Sequence, residues 1–334
     1  MMRVEDGHMP EVTEFGVARR AGSYFAEAVR RLAPADMAGD FLRKDSGVLP
    51  PELSRWLKEM IDIPDPDHGF LVVRGLFDEF ADPGPTPLHW SQNNERRTAE
   101  HDIGLITVAA TLGSVFGWTN QQDGRIVHDI LPSPGHENMQ VGASSAVPLA
   151  WHTEDGFHPE RADLLLLLCL RNPDGVGTRL ANIRHADIGD ADLVLLEEPL
   201  LVIEPDDSYG DATARSAPPV GMATVWARND GPCVRYDPSY TRMLTDDGCF
   251  LEAYGKLGAA FEECGRTVSL DPGDLLIVDN DTVVHGRVAF RPRYDGTDRW
   301  LKRVLVRTSR PRPARESLEH GYMQVRVPLG EQGR

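Results

Sequence analysis

The tract LLLLLCL, residues 164–170, constrains this chain more than any other stretch. It is short, uninterrupted and closed off by Asp163 and Arg171, so it reads as a buried strand. It is far shorter than the ~20 residues that span a membrane. The strand is predicted over 163–170. Others are predicted over 70–75, 200–204, 222–228, 274–279 and 300–308, divided by Gly, Pro and Asp turns. Helical spacing is confined mostly to the first half. It covers 14–33, with Phe25, Val29 and Leu32 on one face, and 51–60, with Leu53, Trp56, Leu57 and Met60 inward. Residues 103–117 are apolar nearly all round and predict a buried helix, and Phe250, Tyr254, Leu257 and Phe261 predict another over 249–263. Strands in one block with helices mostly before them predict a sandwich or barrel with helices packed outside.

The chain has 334 residues, enough for a full core, and shows neither an internal repeat nor a shift in composition. We therefore expect one domain over 1–334, with residues 1–12 frayed and 14–60 forming a helical N-terminal part. The stretch DDSYGDATARSAPPVG, 206–221, has few large apolar residues. It is expected to be a loop, either plain surface or a lid that becomes ordered over a bound substrate. There are 35 basic and 52 acidic residues, net −17, with no basic stripe, so nucleic acid is not an expected partner. Four scattered cysteines without a C-x-x-C pair suit free thiols in a reducing cytoplasm. The N-terminus lacks a signal-peptide core, and no membrane association is expected.

Just before the leucine tract stands His152-Thr153-Glu154. On an extended segment residues i and i+2 point to one face, so His152 and Glu154 can reach one ion. A third ligand is offered by His285, which follows a Gly-bounded turn, a strand and a polar corner in DPGDLLIVDNDTVVHGR. Two histidines and one carboxylate on one side of an iron leave three positions open, the pattern of non-haem Fe(II) oxygenases. A structural zinc site would be closed by four ligands, often Cys, and none is near in sequence. By itself H-x-E is weak in a chain with 11 histidines. His128, His136 with Glu137, and His158 are competing ligands, each more readily read as a surface or hydrogen-bonded residue.

In the last predicted strand, DRWLKRVLVRT, alternation puts Arg299, Leu301, Arg303, Leu305 and Arg307 on one face. Arg299 and Arg303 are then roughly 13 Å apart at about 3.3 Å per residue. Such a pair can be a solvated basic edge. Sharing a face with leucines suits two carboxylate clamps better, because the guanidinium fork binds carboxylates bidentately.

The blocks FGWTNQQDGRIVHDILP, WHTEDGFHPERADLLLLLCLRNPDGVGT, DNDTVVHGRVAF and PRYDGTDRWLKR, within about 70–308, resemble the clavaminate synthase-like Fe(II)/2-oxoglutarate-dependent oxygenases. Within that group they are most similar to the free L-arginine β-hydroxylases of peptide-antibiotic biosynthesis. The resemblance implies a double-stranded β-helix (jelly-roll) core, mainly β with flanking helices, that binds Fe(II) and uses 2-oxoglutarate and O2 as cosubstrates. It implies iron ligation by His152, Glu154 and His285, and a 2-oxoglutarate site at Arg299 and Thr178. For the substrate it implies Arg303 at the α-carboxylate, Gln121 with Ser144 or Ser145 near the α-amino end, and Asp237 at the guanidinium. The retained carboxylate ligand Glu154 implies hydroxylation rather than halogenation. The family's D-x-D is here Asp237 and Ser239. One charge-assisted contact is therefore lost, which favours a cyclised guanidine such as enduracididine or capreomycidine over arginine itself. Two alternatives stand beside this expectation: a hydroxylase of asparagine or a carrier-bound amino acid, and a non-catalytic jelly-roll binding module. The sequence leaves the oligomeric state open.

Overall fold

The computed structural model describes residues 13–32, 49–213 and 217–329. The expectation for residues 1–12 lies outside them. The first half supplies β1 (Glu14–Gly16), α1 (Arg19–Leu32), α2 (Pro51–Met60), β2 (Phe70–Arg74), α3 (Glu95–Leu112), β3 (Ser114–Trp118), β4 (His128–Ile130) and β5 (Leu149–His152). Then come β6 (Leu164–Arg171), β7 (Thr178–Asn182), α4 (Asp190–Leu196), β8 (Leu201–Ile203), β9 (Val225–Arg228), β10 (Gly231–Val234), β11 (Thr241–Met243) and α5 (Gly248–Cys264). The chain closes with β12 (Arg266–Val268), β13 (Leu275–Asp279), β14 (Val283–Arg287), β15 (Trp300–Arg307) and β16 (Arg326–Pro328).

Two sheets form the core. The larger runs β1-β2-β13-β6-β15-β3-β16, with β4 also on β15; the smaller runs β12-β7-β14-β5. Their pairings are antiparallel except β1 with β2. This is the jelly-roll architecture, mainly β with helices on the outside. The leucine tract, β6, lies between β13 and β15 near the middle of the large sheet. Leu165, Leu167 and Cys169 face the inter-sheet core with Leu180, Val284 and Leu301. Leu164, Leu166, Leu168 and Leu170 pack outward with Phe25, Leu57 and Ile106 of the helices. Burial on both faces removes any need for polar alternation, which accounts for the uninterrupted apolar run.

Two expectations are corrected. The buried helix predicted over 103–117 is α3, which begins at Glu95 and ends at Leu112; 114–118 is a strand. Gly113 makes the break, because a Cβ there would lie 2.3 Å from the Arg307 carbonyl oxygen. Residues 14–16 are likewise a strand, paired with Val72–Arg74, and the helix starts at Arg19. Of 206–221, Asp207–Thr213 forms a short 3-10 stretch, and 214–216 lie outside the described residues. Among the described residues no helix is long and apolar enough to cross a membrane.

Candidate functional site

The pairing of β5 with β14 sets His152 directly opposite His285, with ring centroids 4.1 Å apart. Thr153 donates its N–H to the Tyr236 carbonyl at 2.7 Å and its hydroxyl accepts the Tyr236 N–H at 3.1 Å. That fixes Thr153 on one side and returns Glu154 to the side of His152. Asn280, from the corner between β13 and β14, accepts the Glu154 N–H at 2.8 Å and donates to the Glu154 carbonyl at 3.0 Å. One ligand atom each of His152, Glu154 and His285 lies within 4.8 Å of the others. His128, His136 and His158 join no such group among the described residues.

The triad fits a metal ion. The His152 Nδ1–H is directed at the Ala150 carbonyl at 2.9 Å, which leaves the Nε2 lone pair for coordination. Burial, then the neighbouring His285, lowers the pKa of His152, so the ring is neutral as a ligand must be. Burial pushes the Glu154 carboxyl up, but the Arg303 guanidinium and His285 outweigh it and hold Glu154 below the usual range. Glu154 Oε2 lies 3.4 Å from His285 Nε2, and its other oxygen is paired with Arg303.

One cavity is lined by the triad together with Thr178, Arg299, Arg303, Asp206, Asp237 and Ser239, closed below by Leu165 and Leu167. Arg299 donates to the Thr178 hydroxyl at 3.0 Å and has no carboxylate among the groups that set its charge state. Burial lowers its pKa to about 10. A buried guanidinium with one neutral partner is a site for an anion. Arg303 is the better surrounded: besides Glu154 it donates Nη2–H bonds to Gln121 Oε1 at 2.8 Å and His128 Nδ1 at 2.7 Å. Burial raises the Asp237 carboxyl to about 6, although its Oδ1 accepts the backbone N–H groups of Ser239 and Tyr240.

Ser144 and Ser145 are fully buried and absent from that lining. Ser144 instead meets Arg287, which donates to its hydroxyl at 3.1 Å and to the Val147 carbonyl at 3.0 Å. Gln121 lines an adjoining cavity that shares Asp206 and Arg303 with the first.

Several lining residues carried no signal in the sequence. Arg287 reaches the cavity two residues beyond His285. Asp155, with φ +51°, is in the left-handed region and takes hydrogen bonds from Trp118 Nε1 at 2.7 Å and the Tyr209 hydroxyl. Burial, then the Glu154 charge, raises its carboxyl to about 7. Asp206 and Tyr209 enter from the expected loop.

Three comparisons bear on this site. The chain is 37% identical over 281 residues to an L-ornithine/L-arginine 3-hydroxylase of Catenulispora acidiphila, covering 77% of this chain and 81% of the relative. It is 38% identical over 261 residues to an enduracididine beta-hydroxylase of Streptomyces hygroscopicus, covering 71% and 76%. Among solved structures, the non-heme iron oxygenase OrfP in complex with Fe, succinate and (3S)-hydroxy-L-Arg superposes with a TM-score of 0.75 at 35% identity, covering 88% of this chain and 94% of that one. Residues 28–305 match the taurine catabolism dioxygenase TauD, TfdA family, and a jelly roll with a two-histidine, one-carboxylate centre on paired strands agrees with that match: the chain belongs to this family of dioxygenases.

Proposed function

We propose that this protein hydroxylates a free guanidino amino acid, L-arginine or a derivative such as enduracididine or capreomycidine, at Cβ, in the biosynthesis of a non-ribosomal peptide antibiotic. The observation that carries the reading is one cavity lined by the metal triad, by Arg287, Arg299 and Arg303, and by carboxylates that include Asp206 and Asp237. Cations for an amino-acid carboxylate and a dicarboxylate, with anions for a basic side chain, match a guanidino amino acid and 2-oxoglutarate. The relatives named for arginine, ornithine and enduracididine support the same class.

His152, Glu154 and His285 hold Fe(II) in this reading. Bound there with 2-oxoglutarate and O2, it supplies the oxidation that places a hydroxyl on an unactivated carbon. Arg299 and Thr178 hold the far carboxylate of 2-oxoglutarate, and Arg303 the substrate α-carboxylate. Asp237 pairs with the guanidinium. Gln121 acts at the α-amino end through its contact with Arg303. Leu165, Leu167 and Leu301 keep water from the reacting carbon, and fixing both ends of the substrate selects which C–H bond faces the metal.

Ser239, at the cavity wall, favours a cyclised guanidine with fewer N–H donors over arginine. Ser144 and Ser145 act indirectly, through the wall that Arg287 braces. Succinate release by the Fe(II)-loaded protein, with product mass read in the same tubes, tests the proposal on arginine, enduracididine, capreomycidine, homoarginine, ornithine and asparagine. A gain of one oxygen on a guanidino amino acid is expected. Turnover of asparagine with the guanidino compounds inert overturns it.

A further inference from the structure

His128 is a competing metal ligand by residue type, yet the fold gives it a different neighbour. It lies on β4, paired with Arg303 of β15 across the ladder, and is 1% exposed. Its Nδ1 is 2.7 Å from Arg303 Nη2, and its Nε2 is 2.9 Å from the Arg125 carbonyl oxygen. A guanidinium only donates and a carbonyl only accepts. The tautomer is therefore fixed: Nε2 carries the proton and Nδ1 is a bare acceptor. A second proton would place a cation against Arg303 in a buried site, and burial together with that guanidinium holds the ring neutral.

We propose that His128 is a positioning residue for amino-acid binding: a neutral acceptor that aims the Arg303 guanidinium into the cavity without neutralising it. The proposal rests on the reading of Arg303 as the clamp for the substrate carboxylate. Three side chains accept from this guanidinium. Gln121 Oε1 is neutral, as is His128, and both take Nη2. Glu154 takes Nη1 and is itself a member of the metal triad. Glu154 is the one charged acceptor on Arg303 and would share its charge with an ion at the triad, while both Nη2 acceptors are uncharged and leave the guanidinium charge available to a carboxylate ligand. A carboxylate at position 128 would cancel that charge. A leucine would leave Nη2 with one acceptor and the side chain free to swing.

Calorimetric titration of the metal-loaded protein with L-arginine and, separately, with 2-oxoglutarate tests this in wild type and three variants. His128→Asn keeps an acceptor near the Nδ1 position and is expected to bind arginine within about threefold of wild type. His128→Leu loses a hydrogen bond to a charged group and is expected to weaken arginine binding about tenfold or more. His128→Asp has the shape of Asn with an added charge and is expected to bind arginine as poorly as the Leu variant. All three are expected to bind 2-oxoglutarate as wild type does, and the Leu variant to release more succinate per hydroxylated product. Should the Leu variant not fold, His128→Gln, whose carbonyl sits one bond further out, takes its place with the same expectation. Wild-type arginine affinity in the Leu variant, equal weakening of both ligands, or Asp behaving like Asn overturns the role of His128 alone. A wild-type protein that binds 2-oxoglutarate but no guanidino amino acid overturns the underlying reading as well.

Discussion

At the scale of single residues, the site combines groups whose charges are balanced only when ligands arrive. Arg299 is buried with a hydroxyl as its partner, and Arg287 with carbonyls and a hydroxyl. His152→Ala and Glu154→Ala are therefore expected to abolish substrate-stimulated succinate release and to lose bound iron, both read on the purified proteins. Asp237 gives a pH-dependent test. Burial raises its carboxyl to about 6, and in its proposed role it pairs with a guanidinium only when ionised. Arginine KM is expected to rise as pH falls through about 6 and to stay low above it. Asp237→Asn is expected to raise KM about tenfold or more at neutral pH, the loss of a hydrogen-bonded ion pair, and to flatten the profile. The residues legible beforehand were those whose type states their chemistry: two histidines and a glutamate at i, i+2 and a distant strand, and arginines on an apolar face. Asp155 and Arg287 were not legible, because an acid or arginine beside a ligand looks like ordinary surface until the fold turns it inward; Asp206 was legible only as part of the 206–221 loop, not as a lining carboxylate. Ser144 and Ser145 lie outside the cavity lining, which their sequence did not reveal, since short polar residues carry no direction.

At the scale of elements, β6 divides the molecule. Its odd positions meet the cavity core and its even positions the helices. Leu166→Ala and Leu167→Ala should each cost about 2–5 kcal/mol, measured by urea unfolding. Only the second is expected to change arginine KM and the ratio of succinate to product, because Leu167 lines the cavity and Leu166 does not. The tract was legible because seven consecutive apolar residues between Asp163 and Arg171 are short for a helix and the right length for a strand buried on both faces. The helices over 51–60 and 249–263 were legible from their periodicity. The end of α3 was not, because Ser114–Trp118 continues the apolar composition and the break is a close approach at Gly113 that no periodicity reports. Nor was β7, whose Thr178-Arg179-Asn182 polarity hides a strand that pairs with β14 and buries Leu180 and Ala181 in the inter-sheet core.

At the scale of the whole molecule, the C-terminal segment is tied to the site by charge. Glu319 makes a two-point pair with the buried Arg235 at 2.8 and 2.9 Å, and Glu316 does the same for Arg161 at 2.9 and 3.1 Å. Arg235 Nε also donates to the Gly156 carbonyl, two residues past Glu154. Glu319→Ala strands a buried cation and is expected to cost about 3–5 kcal/mol in urea unfolding and to weaken iron retention. Glu319→Gln is expected to recover part of both. The metal centre has a wider consequence of its own. Among the described residues of the four-stranded sheet β5 is an end strand that pairs with β14 alone, yet it carries His152, the first of the proposed ligands. An ion held between His152 and His285 is thus a rivet on an open border. Chelation should release that border, where the Ala150 N–H is held by the Gln140 side chain, and speed amide exchange over 149–152, so loss of iron and fraying of the strand become one event.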